Sequence, residues 1–298
     1  MLDIISVGPG EAVLLTDDAK QAIDRADAVW CAARHAVLVP PEKARPLSPL
    51  EGAIEQMRLS SDAGQRAAVL VSGDAGLYSL LEMLKRKIGG EYLRVHPGVS
   101  ALQLFAARLG VSWQDAKILS AHGRALSESA LCHAVRTHRQ TFCFLDAAHN
   151  PAWVRESLNL GGLENVRLFV GERLSYPDER TEAYDPDATY DPLCMAYIEN
   201  DAPESGLPPV GLSDEAFIRG KTPMTKRDVR ALVVSALHLK PNGVVWDIGA
   251  GTGSVSVECA RQCPLGEVYA VEMKDEALDL IRRTADRFHA LNLRVVTG

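Results

Sequence analysis

The sequence offers little from which to build a membrane span, a disulfide scaffold or a nucleic-acid surface. Apolar residues make up 47% of its 298 positions, yet they come in short runs and never in a stretch long enough to cross a bilayer. The start, Met1 to Gly8, is a strand-like run with neither a basic region nor an extended apolar core, so no signal peptide is expected there. The six cysteines (Cys31, Cys132, Cys143, Cys194, Cys259 and Cys263) form no CxxC pair, and no histidine cluster stands near them at metal-ligand spacing. Several lie inside apolar runs, such as Thr141 to Leu145 around Cys143, where cysteine acts as a small hydrophobe. The expectation is a reducing cytoplasm, with neither a metal nor a disulfide. There is no basic excess either. The net charge is -7, and its acid lies mostly before Leu212, so no nucleic-acid partner is expected. Ser-His-Asp and Cys-His arrangements are also missing, which argues against a protein nucleophile.

What is present is alternation. Leu2 to Val7, Ala28 to Ala32, Ala67 to Val71, Leu93 to His96, Lys117 to Ser120, Thr141 to Leu145, Val166 to Val170 and Leu193 to Ile198 read as strands. Helical spacing fills most intervals, as in Ala101, Leu102, Leu104, Phe105 and Leu109. Strands alternating with helices predict an α/β architecture with a largely parallel sheet. The Pro- and Gly-rich stretch NDAPESGLPPVG, Asn200 to Gly211, has almost nothing able to pack and marks a boundary. It divides the chain into 1–200, a linker 201–211, and 212–298. The polar segment Tyr176 to Asp191 reads as a long loop.

In the second piece, the strand Val244 to Ile248 ends in Gly249-Ala250-Gly251-Thr252-Gly253, and the helical run Ser254 to Gln262 follows. Such a turn lets a ligand approach the backbone and aims the first helical amides at it. Glu272 ends the next strand, where an acid can accept from both ribose hydroxyls of a nucleoside. A phosphate-cradling P-loop would need Gly-Lys-Ser/Thr, which is absent. The GxGxG spacing, with Asp247 just before it, resembles motif I of class I methyltransferases more than the GxGxxG of dehydrogenases. Upstream, Thr225 reads as an N-cap, with Asp228 three residues on. PMTK-x-x-VR (Pro223 to Arg230) ahead of WDIGAGTGSVSVE (Trp246 to Glu258) resembles the decarboxylating methyltransferases of corrin biosynthesis that act on precorrin-6Y. That resemblance implies that Thr225, Gly249, Ala250, Gly251, Thr252, Gly253 and Glu272 contact S-adenosylmethionine. Glu276 to Asn292 reads as a helix and Leu293 to Thr297 as a third strand, after which Gly298 ends the sequence. A class I methyltransferase has seven strands with the first one central, so this piece is expected to be only the first part of such a sheet. Its strand edge would be open and its pocket incomplete.

The first piece carries four strand-end loops: Ser6-Val7-Gly8-Pro9-Gly10, Ser72 to Ser79, His96 to Ala101, and Ser120-Ala121-His122-Gly123-Arg124. Carboxyl ends of parallel strands are the usual ligand sites in open α/β sheets, and all four are expected in one register of one sheet. Together they resemble the tetrapyrrole methylase family, with its GxGPG, SGDP and PG-x-S/T-x motifs. Two positions depart from that pattern: Ser6 stands at the first glycine, and Ala75 at the proline. The resemblance implies a fold of two α/β subdomains with the cofactor in their cleft. It also implies that Pro9, Ser72, Gly73, Asp74, Leu77, Ser100 and Ala101 bind S-adenosylmethionine.

The pairing of the two pieces in this order is that of the precorrin-6Y branch. It implies C-methylation of a tetrapyrrole in cobalamin biosynthesis, at carbon 5 by the first domain. The second domain, when complete, would methylate carbon 15 and decarboxylate an acetate chain. His122 is the candidate base, because imidazole titrates near neutrality. Arg34 and Arg124 are the candidate anchors for substrate carboxylates. The family also implies a homodimer formed through the first domain. Another tetrapyrrole or diphthamide-type methylase, a nicotinamide-dependent oxidoreductase and a non-catalytic tetrapyrrole carrier remain the alternatives.

Overall fold

The computed structural model describes residues 1–123 and 125–298. Its strands are β1 (Leu2–Ser6), β2 (Ala28–Cys31), β3 (Ala44–Pro46), β4 (Ala67–Val71), β5 (Leu93–His96), β6 (Lys117–Ser120), β7 (Gln140–Phe144), β8 (Arg167–Glu172), β9 (Arg180–Ala183), β10 (Cys194–Glu199), β11 (Val244–Ile248), β12 (Glu267–Glu272) and β13 (Leu293–Thr297). The helices are α1 (Asp17–Arg25), α2 (Leu50–Asp62), α3 (Leu81–Ile88), α4 (Ala101–Leu109), α5 (Glu128–Thr137), α6 (Pro151–Leu160), α7 (Arg227–Ala236), α8 (Ser254–Gln262) and α9 (Asp275–Arg287). Mixed α/β structure is the class the sequence predicts. Most strands fall within two residues of their expected bounds.

Three sheets form, with strand orders β3-β2-β4-β1-β5, β6-β7-β10-β8-β9 and β11-β12-β13. The first is parallel throughout. Its inner strands β2 and β4, and most of β1, are buried on both faces, as helices on both sides require. One face sets Leu2, Ile4, Trp30, Val69 and Val71 against Ile54, Met57 and Leu84 of α2 and α3. The other sets Ile5, Val29 and Leu70 against Ala19, Ala22 and Ile23 of α1. Alternate residues of β1 therefore serve opposite cores, and the strand cannot slip by one residue without exchanging them.

The third sheet is also parallel, with β12 between β11 and β13. One face packs Val268, Ala270 and Leu293 against Val257 and Ala260 of α8 and Ile281 and Ala285 of α9. On β11 the alternate residues Val244, Trp246 and Ile248 are exposed, and the Trp246 ring stacks on Tyr269 with centroids 4.5 Å apart.

By internal contacts the chain divides into two compact units. One comprises Met1–Gln114, Val170–Glu182 and Thr189–Met195; the other comprises Asp115–Phe169, Ala183–Ala188 and Ala196–Gly298. Inside the second unit the Pro-rich stretch is tethered: Glu204 N–H donates to the Arg136 carbonyl (2.8 Å) and Gln262 to the Pro208 carbonyl (2.6 Å). Among the described residues no helix is long and apolar enough to cross a membrane, and no group of three or more His, Cys, Asp or Glu could hold a metal ion.

Candidate functional site

Because β1 lies between β4 and β5, their three carboxyl-end loops meet at one edge of the first sheet. Gly8 and Gly73 exchange backbone hydrogen bonds of 3.2 and 2.7 Å, and both take positive φ, +68° and +67°. Asp74 joins the second loop to the third: its Oδ1 accepts from Gly76 N–H at 2.8 Å and its Oδ2 from Gly98 N–H at 3.2 Å. Leu77 N–H closes the turn onto the Asp74 carbonyl. Ser100 caps α4 reciprocally, accepting from Gln103 N–H while the Gln103 side chain accepts from Ser100 N–H, and Ala101 is the first helical residue. Pro9 is buried between Gly8 and Gly10. The seven first-domain residues expected to bind cofactor thus lie on three adjoining loops.

The two departures from the family pattern answer each other. Ala75, unlike proline, has an N–H, and it is buried; Ser6 Oγ accepts that N–H at 2.9 Å. With glycine at position 6 the donor would lose this acceptor, a cost of about 1–3 kcal/mol. Each departure is visible in the sequence, but their contact across 69 positions is not.

Arg34 follows β2, adjacent to β4, and it is not simply solvated. Its Nη2 donates to Ser72 Oγ at 2.6 Å and its Nε to His35 Nε2 at 3.2 Å, while His35 Nε2 lies 2.9 Å from Ser72 Oγ. Burial first, and the Arg34 charge second, push the His35 imidazole down to about 4, so it is neutral near pH 7. At the end of β5, buried His96 bridges Asp3 (3.0 Å) and Asp18 (2.5 Å), fixing that strand end to β1 and α1. The hydrogen bond from His96 holds the Asp18 carboxyl below the usual range. Neither histidine was singled out from sequence.

The fourth loop belongs to another sheet. β6 begins the second sheet, so the expectation of four loops in one register of one sheet is corrected to three. His122 is exposed in the turn after β6. Arg124 lies outside the described residues.

In the third sheet the glycine loop follows β11 as expected. Gly249 and Ala250 N–H donate to the Val271 carbonyl, and Gly249, Gly251 and Gly253 all take positive φ. Glu272 braces the loop: its Oε2 accepts from Gly251 N–H at 3.0 Å, and its Oε1 from Met273 (2.9 Å) and Lys274 (3.2 Å) N–H. These bonds, that from Gly251 foremost, hold its carboxyl below the usual range. Thr252 is buried.

Thr225 is not the N-cap. That position is Lys226, without a side-chain cap, because the Arg230 guanidinium takes the Thr225 carbonyl at 2.6 Å and holds the segment extended. Arg230 is fully buried and pairs with buried Glu258 at 2.6 Å. Glu258 also accepts from the Gly211 and Leu212 amides. The two sequence motifs of this piece therefore meet through their charged ends.

Three glycine-braced loops at the carboxyl edge of a parallel sheet, with a second strand–glycine loop–helix unit later in the chain, define an α/β enzyme of the nucleoside-binding methyltransferase kind. The family described as Tetrapyrrole (Corrin/Porphyrin) Methylases matches residues 1–185, and that described as Precorrin methyltransferase domain matches residues 215–298. The chain belongs to the tetrapyrrole methylase family. It is 32% identical to a precorrin-6Y C(5,15)-methyltransferase [decarboxylating] of a Sinorhizobium species, across 100% of this chain and 73% of that protein. It is 44% identical over 88 residues, 29% of this chain and 46% of the relative, to a cobalt-precorrin-6B C(15)-methyltransferase (decarboxylating) of Salmonella typhimurium. In fold it resembles a uroporphyrin-III C-methyltransferase of Thermus thermophilus complexed with S-adenosylhomocysteine, with a TM-score of 0.55 and 18% identity over 66% of this chain and 96% of the other.

Proposed function

We propose that the chain is an S-adenosylmethionine-dependent C-methyltransferase acting on precorrin-6Y in cobalamin biosynthesis, in the cytoplasm and as a homodimer through its first domain. The observation that carries this is the order of the two family matches along one chain, together with similarity over the whole of this chain, and 73% of the relative, to an enzyme named for both carbons. A relative named for carbon 15 and decarboxylation covers only 88 residues, a span the size of the 215–298 match. Carbon 5 is therefore assigned to the first domain, residues 1–200, and carbon 15 with acetate decarboxylation to the second domain when complete, of which 212–298, beyond the 201–211 linker, is the first part.

The loops suit such a ligand. A Cβ built at Gly73 meets nothing nearer than Ser100 Cα at 3.9 Å, and one at Gly249 meets nothing within 4 Å. Both glycines leave open space beside their loops, room for a nucleoside with an amino-acid tail to approach the backbone. When bound, S-adenosylmethionine supplies a methyl group already activated by its sulfonium, so the chain need provide no nucleophile. Pro9, Ser72, Gly73, Asp74, Leu77, Ser100 and Ala101 would hold it in the first domain; Thr225, Gly249, Ala250, Gly251, Thr252, Gly253 and Glu272 would do so in the second. Holding both reactants near attack geometry can supply roughly 7–11 kcal/mol. Arg34 and Arg124 would pair substrate carboxylates, and His122 would accept a proton from the methylated carbon.

Titration calorimetry with S-adenosylhomocysteine, followed by weighing the product from precorrin-6Y, tests the reading. Binding and the gain of at least one methyl group are expected; binding of NADH in place of S-adenosylhomocysteine would overturn it.

A further inference from the structure

Arg34, His35 and Ser72 make a closed triangle in which the arginine fixes the tautomer of the histidine. Arginine has no acceptor, so the Nε–H that meets His35 Nε2 at 3.2 Å forces that ring nitrogen to accept. A neutral ring then carries its proton on Nδ1. That atom is buried and has no hydrogen-bond partner among the described residues, while the whole residue is 1% exposed. An orphaned buried N–H is costly, and the opposite tautomer would set N–H against N–H. The fold thus gives up one hydrogen bond and keeps Nε2 as an acceptor.

Ser72 closes the triangle. Its oxygen accepts from Arg34 Nη2 at 2.6 Å and lies 2.9 Å from His35 Nε2, so the guanidinium is held on one side by both residues. Of the five N–H groups of Arg34, two are committed and three have no partner among the described residues, in an exposed side chain. These three include the outer hydrogens of Nη1 and Nη2, the end-on fork that takes a carboxylate in two parallel bonds.

We propose that His35 is a positioning residue: it locks the Arg34 guanidinium so that its end-on fork meets a carboxylate of the macrocycle. The inference rests on the methyltransferase reading above and adds the device that orients its substrate anchor.

The test uses the full chain and two isosteric variants. In His35→Gln the amide head falls where Nε2 was and restores an acceptor; in His35→Asn the polar head falls near Nδ1 and leaves the Nε2 position empty. H35N is expected to raise KM for precorrin-6Y about tenfold with kcat within about threefold, and H35Q to stay within about threefold of the wild type in both. In an R34Q background the effect of H35N on KM should vanish, because nothing remains to be oriented. Equal effects of H35N and H35Q, or an undiminished H35N effect in R34Q, would overturn the inference. A wild-type chain that binds no S-adenosylhomocysteine would overturn the methyltransferase reading and this inference with it. A wild type that binds and methylates while H35N does so equally well overturns the inference alone.

Discussion

β1 and β11 are local equivalents with different surroundings. Each is a short apolar strand running into a glycine turn and then a helix. β1 lies between two partners and is buried along almost its whole length, whereas β11 pairs on one side only among the described residues and is exposed at Val244, Trp246 and Ile248. The loop after β1 is held by its neighbours: Gly73, and Asp74 reaching across to Gly98. The loop after β11 is held by one strand, through Val271 and Glu272. The second region makes up for this elsewhere, with a buried ion pair that gathers α7, α8 and the chain leading into them. In the first, the loops of neighbouring strands hold one another, through backbone bonds and Asp74; in the second, one strand and its Glu272 hold the loop, and a buried ion pair holds the segment before it.

The largest effect should come from breaking that charge. Arg230→Met leaves Glu258 buried without its cation, a loss of about 3–5 kcal/mol in urea unfolding. If the comparison holds, S-adenosylhomocysteine binding at the first sheet survives below the denaturation midpoint. Its loss in the native R230M chain would show that the two regions are not independent.

Next come two glycines that look alike in sequence. A Cβ at Gly98 would fall 2.8 Å from Ser6 Cβ and 2.9 Å from the Ser6 carbonyl oxygen, so backbone must move. Gly98→Ala should cost about 1–3 kcal/mol by overpacking and weaken S-adenosylhomocysteine binding more than tenfold. Gly249→Ala meets nothing within 4 Å, and its cost is the positive φ alone, about 1–2 kcal/mol. Equal losses in thermal unfolding and calorimetry would erase the distinction between a loop braced by neighbours and one standing free.

A smaller effect separates Ser6 from its family counterpart. Ser6→Gly should destabilise by about 1–3 kcal/mol, and adding Ala75→Pro should recover much of it, because proline has no N–H to satisfy. A double-mutant cycle that proves additive would remove the account of the paired departures.

Much of this was legible in the sequence, and the gaps have physical causes. Long apolar strands and the helix spacing between them were readable because burial on both faces demands continuous hydrophobicity. β3 and β9 were not; they are sheet-edge strands of three and four residues, charged and in one case proline-bearing, the composition edges use against aggregation. The segment read as a long loop, Tyr176 to Asp191, contains β9. The misplaced fourth loop has another cause: strand–helix alternation continues unchanged from β5 to β6, and nothing local says that a new sheet has begun. At the site, motif residues were readable because each loop needs its own glycine or cap. Ser6 with Ala75, and Arg230 with Glu258, were not, because a pair distant in the chain leaves no periodicity.

The gentlest probe of the comparison is Glu272, whose side chain braces the loop after β11. Its carboxylate accepts three backbone N–H bonds, which favour the charged form and place its titration below the ordinary value of 4.5. The sign follows from that depression: the bracing is in place above the ordinary carboxylate value and is lost as pH falls through the lowered one. Amide exchange at Gly251 should therefore stay slow at neutral pH and accelerate only well into acid. Glu272→Gln keeps one acceptor oxygen but removes the charge, so exchange at Gly251 should be faster at neutral pH and lose its acid step. The Gly8 and Gly73 amides, which donate to each other's carbonyls, should show no such step in either chain. An acid step at Gly8 and Gly73 matching that at Gly251 would mean that the two loops share one titrating brace, and the contrast between neighbours and charge would not stand.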